Sequence, residues 1–219
     1  KKKKTKVRQA ISKAKLMVRI NPLYDGSKRE IESVIEMGAD LIMLPMFKTH
    51  HEVIEIYNMI DGRCGLVPLL ETTQALTRID DILELTDFEF IHIGLNDLRI
   101  GLDLKFLFEV VSGGIVEYLG KKISNKNIAF GFGGVARMDS GELPGRLVLS
   151  EHVRIGSEAV ILSRAFHNNS KTIDELEKNV DLAKEVRTLR SYEKNFQLNE
   201  KTLESNKIEF KKIIQKIIS

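Results

Sequence analysis

The stretch Gly65-Leu-Val-Pro-Leu-Leu-Glu71 is an apolar run that ends in a carboxylate. Such a run is typical of a parallel β-strand that is buried on both faces. The next run, Phe90-Ile-His-Ile-Gly94, is followed closely by Asp97. Glu71 and Asp97 are 26 residues apart, about the length of one strand–helix repeat. The sequence therefore predicts two neighbouring parallel strands, each with an acidic residue at or just beyond its carboxyl end.

Short apolar runs of the same kind recur along the chain, with segments of helical apolar spacing between them. This alternation indicates βαβ units, a parallel sheet and an α/β fold of the TIM (β/α)8 barrel type. Six runs are two fewer than the strands of a complete barrel, so we expect the first two strands to be absent from this chain. The strand candidates are Leu16–Ile20, Leu41–Met46, Gly65–Leu70, Phe88–Gly94, Ile128–Phe132 and Ala159–Ser163.

We expect the chain to divide into a partial barrel over residues 1–170 and a C-terminal helical extension over residues 171–219. A basic helix, Lys1–Lys15, is predicted before the first strand. Three later helices are predicted to begin with a capping box, in which a Ser or Thr and an acidic residue three positions later satisfy backbone donors reciprocally. The pairs are Ser27 with Glu30, Thr49 with Glu52, and Thr172 with Glu175.

The composition excludes several classes of protein. With 42% hydrophobic residues the chain is too apolar to be disordered, and it has no apolar run of the roughly 18 residues that a membrane helix needs. A lone cysteine, Cys64, excludes a disulfide framework and favours a reducing, cytoplasmic location. The net charge of +3 arises mostly near the two termini, without interleaved aromatic residues, so we predict neither nucleic acid nor a membrane as partner.

Arg19 lies near the carboxyl end of the first strand candidate. Side chains alternate between the two faces of a strand, so Val18 and Ile20 share one face, and Met17, Arg19 and Asn21 share the other. Ligands bind at the carboxyl ends of the strands in α/β sheets and barrels, where a guanidinium can bind a carboxylate or phosphate through two hydrogen bonds. The alternative for Arg19 is a structural salt bridge, with one of the nearby carboxylates as a candidate partner.

Glu71 and Asp97 are the strongest pair of candidate ligands. A pair of carboxylates suits a hard cation such as Mg²⁺ or Mn²⁺, which keeps several waters and its substrate as further ligands. The alternative is that each carboxylate caps a helix, because both residues lead into connections between elements.

A glycine-rich run, Gly131-Phe-Gly-Gly134, follows the fifth strand candidate. Its backbone amides could be offered to an anion, although a tight turn is the expected use. No glycine fingerprint of a dinucleotide-binding site opens a helix here, so a nucleotide cofactor is not predicted from it.

The final stretch of the tail concentrates apolar side chains that an isolated helix would expose to water. This helix is expected to pack either on its own barrel or on a neighbouring subunit. We expect a homo-oligomer in which the region after about Leu189 packs at least in part on a neighbouring subunit. The side chains concerned are those of Ile208, Ile213, Ile214, Ile217 and Ile218.

Four motifs follow one another at the ends of successive strand candidates. They are Val18-Arg-Ile-Asn21, Leu44-Pro-Met46, Pro68-Leu-Leu-Glu-Thr72 and Ile93-Gly-Leu-Asn-Asp-Leu98. In this order and at this spacing they resemble the HpcH/HpaI aldolase and citrate lyase β-subunit family, whose members are pyruvate/phosphoenolpyruvate-type TIM barrels. The resemblance covers roughly residues 10–166.

The resemblance implies a divalent-metal site, for Mg²⁺ or Mn²⁺, at Glu71 and Asp97. It also implies that Arg19 binds the carboxylate or the enolate of a pyruvate-like substrate, which makes Arg19 the predicted catalytic residue. The backbone amides that would help to hold the substrate belong to the stretch from Gly94 to Asp97, with Gly94, Leu95 and Asn96 as the predicted substrate-binding residues.

The expected function is that of a metal-dependent carbon–carbon lyase of the class II aldolase type, acting on a 2-keto acid. Met46 stands where the citrate-lyase-like branch often has Lys. This difference favours substrates other than acyl-CoA thioesters. A citrate-lyase-like CoA thioester lyase and a non-catalytic barrel that serves as a binding or scaffold protein are the alternatives. The resembled family places its acid/base residues after the first two strands, so no general base is assigned in this chain.

Overall fold

The computed structural model describes residues 8–9, 12–85, 87–139 and 142–219. The fold class is as predicted, an α/β fold of the (β/α) barrel type in which parallel strands alternate with helices. The chain divides into two compact units, residues 1–102 with 121–130 and residues 103–120 with 131–219. The boundary expected at residue 170 stays a prediction. The predicted basic helix Lys1–Lys15 falls largely outside the described residues; in the described part, residues 8 and 9 are helical, but residues 12–15 are not, so the helix does not extend to Lys15 as predicted.

The first unit contains four parallel strands in sequential order. Each lies inside a run that the sequence predicts, and the second and fourth are buried at every position, as expected for strands covered on both faces. The strands are β1 (Met17–Arg19), β2 (Leu41–Leu44), β3 (Gly65–Leu70) and β4 (Ile91–Ile93). The helices between and after them are α1 (Ser27–Glu36), α2 (His50–Ile60), α3 (Thr73–Thr77), α4 (Ile79–Ile82) and α5 (Leu95–Gly101).

The strand register brings the carboxyl ends of β3 and β4 side by side. Leu70 at the end of β3 pairs with Ile93 at the end of β4. The ladder continues one step further, because the Gly94 N–H donates to the Leu70 carbonyl at 2.9 Å. Residues that directly follow the two strands, Glu71 among them, therefore meet at one edge of the sheet.

The second unit holds the remaining elements in the described part of the chain. Helix α7 begins in the second unit and ends in the first, and β5 begins at the end of the first unit and continues into the second. Strands β5 and β6 are parallel. The elements are α6 (Glu109–Ser112), α7 (Ile115–Ser124), β5 (Phe130–Val135), α8 (Gly145–Ile155), β6 (Ala159–Leu162), α9 (Ile173–Asn179), α10 (Leu182–Gln197) and α11 (Glu200–Ile218).

The last helix packs against α8 of the same chain. The Asn206 amide donates to the buried Ser150 hydroxyl at 3.0 Å, and Phe210 and Ile214 of α11 are buried. Packing of the tail on its own chain is thus confirmed for this face of α11. Ile208 is 56% exposed, and the expected contact with a neighbouring subunit stays a prediction.

Two capping boxes are confirmed and one is wrong. The Thr49 and Thr172 hydroxyls accept hydrogen bonds from the backbone N–H groups three residues later. Helix α1, however, already begins at Ser27, after Gly26, and has no side-chain cap. The Ser27 hydroxyl instead accepts a hydrogen bond from the Tyr24 N–H at 2.9 Å, which leaves Glu30 available for a different partner.

The glycine-rich run does not form the expected tight turn. Gly131 and Gly134 both lie inside β5, at a register irregularity against β6. A Cβ at Gly131 would lie 2.4 Å from the Ala159 carbonyl oxygen, so a side chain there would collide with the backbone of β6. The prediction was wrong because close strand packing, rather than a turn, requires glycine at this position.

None of the helices in the described part of the chain combines the length and the apolar character that a membrane crossing requires.

Candidate functional site

Glu71 directly follows β3, and its side chain is turned into the sheet edge rather than into solvent. The residue is only 5% exposed. Its carboxyl group forms a hydrogen bond with the carboxyl group of Asp97, and its Oε1 accepts a hydrogen bond from the Met46 N–H at 3.1 Å. The two carboxylates that the sequence predicts at the ends of neighbouring strands therefore lie close enough to interact.

Neither carboxylate caps a helix, which removes the structural alternative raised for them. Helix α3 is capped by Thr72, whose hydroxyl accepts from the Ala75 N–H at 3.1 Å. The same hydroxyl donates to the Phe47 carbonyl at 2.7 Å and so ties the connections after β2 and β3 together. Helix α5 begins after Gly94, and Asp97 lies inside its first turn.

Gly94 is required by the close approach of β4 to Glu71. A Cβ on Gly94 would lie 2.7 Å from the Glu71 Cβ and 2.9 Å from its Oε2. Real Cβ atoms do not approach other atoms so closely, so a larger residue would displace the Glu71 side chain. Gly94 therefore creates the space in which the carboxylate lies.

Met46 presents its backbone to Glu71 from a left-handed conformation. Its φ of 56° is unusual for a residue with a side chain and costs on the order of 1 kcal/mol. The strained peptide is the one whose N–H donates to Glu71 Oε1. The Met46 side chain is 41% exposed and lines the cavity beside the carboxylates.

The environment of Glu71 favours its protonated form when no cation is bound. Burial, followed by the hydrogen bond to Asp97 and the negative charge of Asp97, raises the pKa of Glu71 from 4.5 to about 7. The Met46 N–H and the positive charge of Arg19 act in the opposite direction. A dication at this position would relieve the repulsion between the two carboxylates.

The carboxylates open into a cavity of about 420 Å³. Its charged lining consists of Arg19, Glu30, Glu71 and Asp97, and Pro45 and Met46 contribute apolar surface. Arg19 and Asn21 are exposed, while Val18 and Ile20 are buried, so the strand alternation read from the sequence is confirmed.

Arg19 lines the same cavity. Among the residues that the structure describes, its guanidinium forms no ion pair, so the structural salt bridge considered as an alternative is absent from this region. Its charge nevertheless acts on Glu71, because it opposes the rise of the Glu71 pKa. The guanidinium is therefore available to an anion in the cavity.

The donor set fits a hard divalent cation. Within the described ranges no group of three or more His, Cys, Asp or Glu residues gathers at one point. Glu71 and Asp97 alone would leave most of the coordination shell to water and substrate, which is the usual arrangement for Mg²⁺. The predicted metal ligands are thus brought together, and their chemistry suits the predicted ion.

Not all three backbone N–H groups predicted to bind the substrate are available to a ligand. The Gly94 N–H already donates to Leu70, so it belongs to the sheet. The N–H groups of Leu95 and Asn96 lie in the first turn of α5, where helical N–H groups have no partner within the helix. Of the three predicted residues, Leu95 and Asn96 are the ones whose amides remain for a ligand.

The sequence analysis missed Glu30 as a cavity residue. Its carboxylate accepts hydrogen bonds from the side-chain amide of Asn21 at 3.0 and 3.1 Å, and from the Asn21 N–H at 3.3 Å. The pattern of Ser27 and Glu30 suggested a capping box instead. Only the placement of α1 against the end of β1 shows that Glu30 faces Asn21.

Comparisons with known proteins find similarity over parts of the chain. Two pyruvate kinases match part of the chain: one from Agrobacterium vitis is 35% identical over 68 residues, and one from Methylorubrum extorquens is 26% identical over 98 residues. The matches cover 31% and 45% of this chain but only 14% and 20% of those enzymes. The crystal structure of RipC from Yersinia pestis is similar with a TM-score of 0.58 at 15% identity, over 75% of each chain, and so supports the fold alone.

The sequence profile of the HpcH/HpaI aldolase/citrate lyase family matches residues 3–107, slightly less than half of the 219 residues. This range contains all four motifs on which the resemblance was based, together with Arg19, Glu71 and Asp97. The resemblance is therefore confirmed: residues 3–107 of this chain match the HpcH/HpaI aldolase/citrate lyase family.

Proposed function

We propose that this chain carries the metal and carboxylate site of a divalent-metal-dependent carbon–carbon lyase that acts on a 2-keto acid. The observation that carries the proposal is the pair of interacting carboxylates, Glu71 and Asp97, in one cavity with the guanidinium of Arg19, which has no ion pair among the described residues. The matched family, which is one of aldolases and lyases, supports the same class of reaction.

Each residue has a distinct task in such a reaction. Arg19 binds the carboxylate of the 2-keto acid with its planar, two-pronged donor group. The amides of Leu95 and Asn96 donate to the same substrate from the first turn of α5. When the carbon–carbon bond breaks, its electron pair stays on the keto acid fragment, and negative charge develops at the carbonyl oxygen. The other fragment leaves as an aldehyde or ketone, and its hydroxyl proton passes to solvent water.

Glu71 and Asp97 are the residues that would hold the metal ion, Mg²⁺ or Mn²⁺. When bound, the ion supplies Lewis-acid stabilisation of the developing negative charge. The Met46 N–H donates a hydrogen bond to Oε1 of Glu71, and Gly94 leaves room for the rest of the carboxylate. The backbone at Met46 and at Gly94 would thus orient Glu71.

Met46 favours an aldolase over the alternative CoA thioester lyase. It gives the cavity an apolar wall, and Arg19 is the one cation in the described lining of that cavity. The 2-keto acid carboxylate would use that cation, which leaves none of the described lining residues for the phosphates of CoA.

The test is calorimetric titration with Mn²⁺ and then with oxalate, an analogue of the pyruvate enolate. We expect Mn²⁺ to bind, and oxalate to bind only after Mn²⁺. Glu71→Gln and Asp97→Asn should abolish Mn²⁺ binding while the circular dichroism spectrum is unchanged, because both side chains lie at the edge of the sheet.

Glu36→Gln is the matched control, because Glu36 is an exposed carboxylate at the end of α1. It should bind Mn²⁺ like the unmodified chain. Normal Mn²⁺ affinity in Glu71→Gln would refute the metal site. Oxalate binding that needs no metal would instead support the non-catalytic alternative, in which the cavity only binds anions.

A further inference from the structure

Few sheet hydrogen bonds of the described residues reach the carboxyl end of β1. Strand β1 has three residues, and its recorded partner in the first unit is β2, on one side. The last sheet-type hydrogen bond runs from the Ile20 N–H to the Met43 carbonyl at 3.1 Å. Arg19 lies immediately before this bond, and the chain leaves the sheet at Asn21.

Glu30 holds Asn21 where the strand ends. Its carboxylate accepts two hydrogen bonds from the Asn21 side-chain amide and one from the Asn21 N–H, at 3.0 to 3.3 Å. Hydrogen bonds to an ionised acceptor are stronger than those between neutral groups. Glu30 lies in α1, and this helix is anchored next to it by Ile31, which is fully buried.

We expect Arg19 to depend on this clamp, because its guanidinium has no hydrogen bond or ion pair with the described residues to hold it. Without an ion pair in the described region, the position of its guanidinium is decided by its backbone and by the ligand. A mobile strand end would spread the long side chain over many rotamers, and binding would have to restrict them.

We propose that Glu30 is a positioning residue: through its hydrogen bonds to Asn21, it holds the carboxyl end of β1 and presents Arg19 to the substrate. The proposal rests on the function proposed above for Arg19. It assigns Glu30 no contact with the substrate and no part in binding the metal, which Glu71 and Asp97 hold from β3 and α5.

If Glu30 acted only through its negative charge, replacing it would have the opposite effect on anion affinity. A carboxylate that lines an anion-binding cavity repels a bound carboxylate, so neutralising Glu30 would then strengthen anion binding. A positioning role requires only an acceptor for Asn21. Glu30→Gln removes the charge but keeps a side-chain carbonyl that can accept from Asn21, whereas Glu30→Ala removes both the charge and the acceptor. Comparing the two variants therefore separates the effect of charge from that of positioning.

The first measurement is hydrogen exchange of the Ile20 amide in the unliganded protein. Glu30 does not bond this amide, so its exchange reports on the end of β1 as a whole. We expect about tenfold faster exchange in Glu30→Ala and in Asn21→Ala, no further increase in the double variant, and a rate near that of the unmodified protein in Glu30→Gln. Glu36→Ala is the control and should exchange normally.

The second measurement is the affinity for oxalate in the presence of Mn²⁺. Glu30→Ala should weaken oxalate about tenfold and leave Mn²⁺ affinity unchanged, and Glu30→Gln should restore most of the loss. Unchanged Ile20 exchange in Glu30→Ala would overturn the proposal, as would tighter oxalate binding by Glu30→Gln. Faster exchange with unaltered oxalate affinity would overturn the link to Arg19.

If the unmodified protein binds no oxalate while Ile20 exchange responds as expected, the lyase site is refuted and the clamp by Glu30 is supported. The failure of one proposal is thus distinguishable from the failure of the other.

Discussion

At the scale of single residues, the proposed site consists of two interacting carboxylates and one guanidinium that has no ion pair with the described residues. Glu71 is buried beside Asp97, and this proximity favours a proton on Glu71 when no cation is present. Arg19 supplies a positive charge in the same cavity. In the function proposed above, a dication and an anion would relieve the repulsion between the carboxylates and pair the guanidinium; perturbed groups of this kind are common at functional sites.

The raised pKa of Glu71 predicts a pH-dependent stability. Because the folded state holds this proton more tightly than the unfolded chain, the contribution to folding is present below the unfolded pKa of 4.5 and is lost as the pH rises through about 7. Glu71→Gln cannot lose a proton there. We therefore compare the free energies of unfolding of Glu71→Gln and the unmodified protein without metal. The difference between them should shift in favour of the variant from pH 5 to pH 8, by on the order of 1 kcal/mol.

Urea unfolding in EDTA at both pH values measures this difference. Saturating Mn²⁺ should reverse it, because the unmodified protein then gains binding energy that the variant lacks. A difference in stability that stays constant with pH would show that Glu71 does not titrate in this range.

Arg19 is predicted to act through the shape of its guanidinium as well as its charge. Arg19→Lys keeps the charge but loses the planar pair of donors, so the affinity for oxalate in the presence of Mn²⁺ should fall about tenfold or more. Mn²⁺ affinity itself should stay normal, since Arg19 is not a ligand. Equal oxalate affinity in calorimetry would indicate that Arg19 is only a structural residue.

At the scale of elements, the site is made by the ends of strands that pack very closely. The registers of β2, β3 and β4 place Met46, Glu71 and Gly94 at one edge. Thr72 ties the connection after β3 to that after β2 through the Phe47 carbonyl. Small displacements of these ends would move the carboxylates, so we expect the site to be sensitive to substitutions that touch no ligand.

Gly94→Ala tests this sensitivity. The added Cβ would lie 2.7 Å from the Glu71 Cβ, so the Glu71 side chain must shift. We expect a loss of stability of about 1–3 kcal/mol from overpacking, together with a clear loss of Mn²⁺ affinity.

Gly62→Ala is the control for Gly94→Ala. Gly62 precedes β3, has a φ of 66° and has nothing within 4 Å of an added Cβ, so the change strains the backbone without touching Glu71. It should lower stability with normal Mn²⁺ affinity. Normal Mn²⁺ affinity in Gly94→Ala as well would mean that the packing at Gly94 does not position Glu71.

At the scale of the whole molecule, one face of the last helix of the tail packs against the same chain. Phe210 and Ile214 are buried, and Asn206 and Glu209 of α11 bond Ser150 and Arg146 of α8. Ile208 is left 56% exposed. One face of α11 thus stabilises the second unit, and another remains for an external contact.

The predicted homo-oligomer is tested at this exposed face. If α11 packs on a neighbouring subunit, Ile208→Lys should lower the mass in solution, measured by light scattering, because it buries a charge in the contact. Ile100→Lys is the matched control, since Ile100 of α5 is exposed to the same degree but precedes the tail. A monomeric unmodified chain, or a mass unaffected by Ile208→Lys, would contradict the predicted contact.

The sequence by itself determined the strands and the residue types at their ends. Aliphatic runs and side-chain alternation are local patterns, so they predicted all six strands, the exposed face of Arg19 and the carboxylates of Glu71 and Asp97. The same patterns cannot decide between two structural roles of a residue when both roles are compatible with the same local sequence. Gly131 and Glu30 were read as a turn and a cap for this reason.

Only the tertiary structure decided which groups orient the carboxylates and the strand end. The Met46 N–H lies 25 residues from Glu71 in the chain, and Glu30 lies nine residues from Asn21. Gly94 is needed only because β4 approaches Glu71 so closely. Such contacts depend on how elements pack and on which backbone groups lack other partners, and these are properties of the assembled chain rather than of any short stretch of sequence.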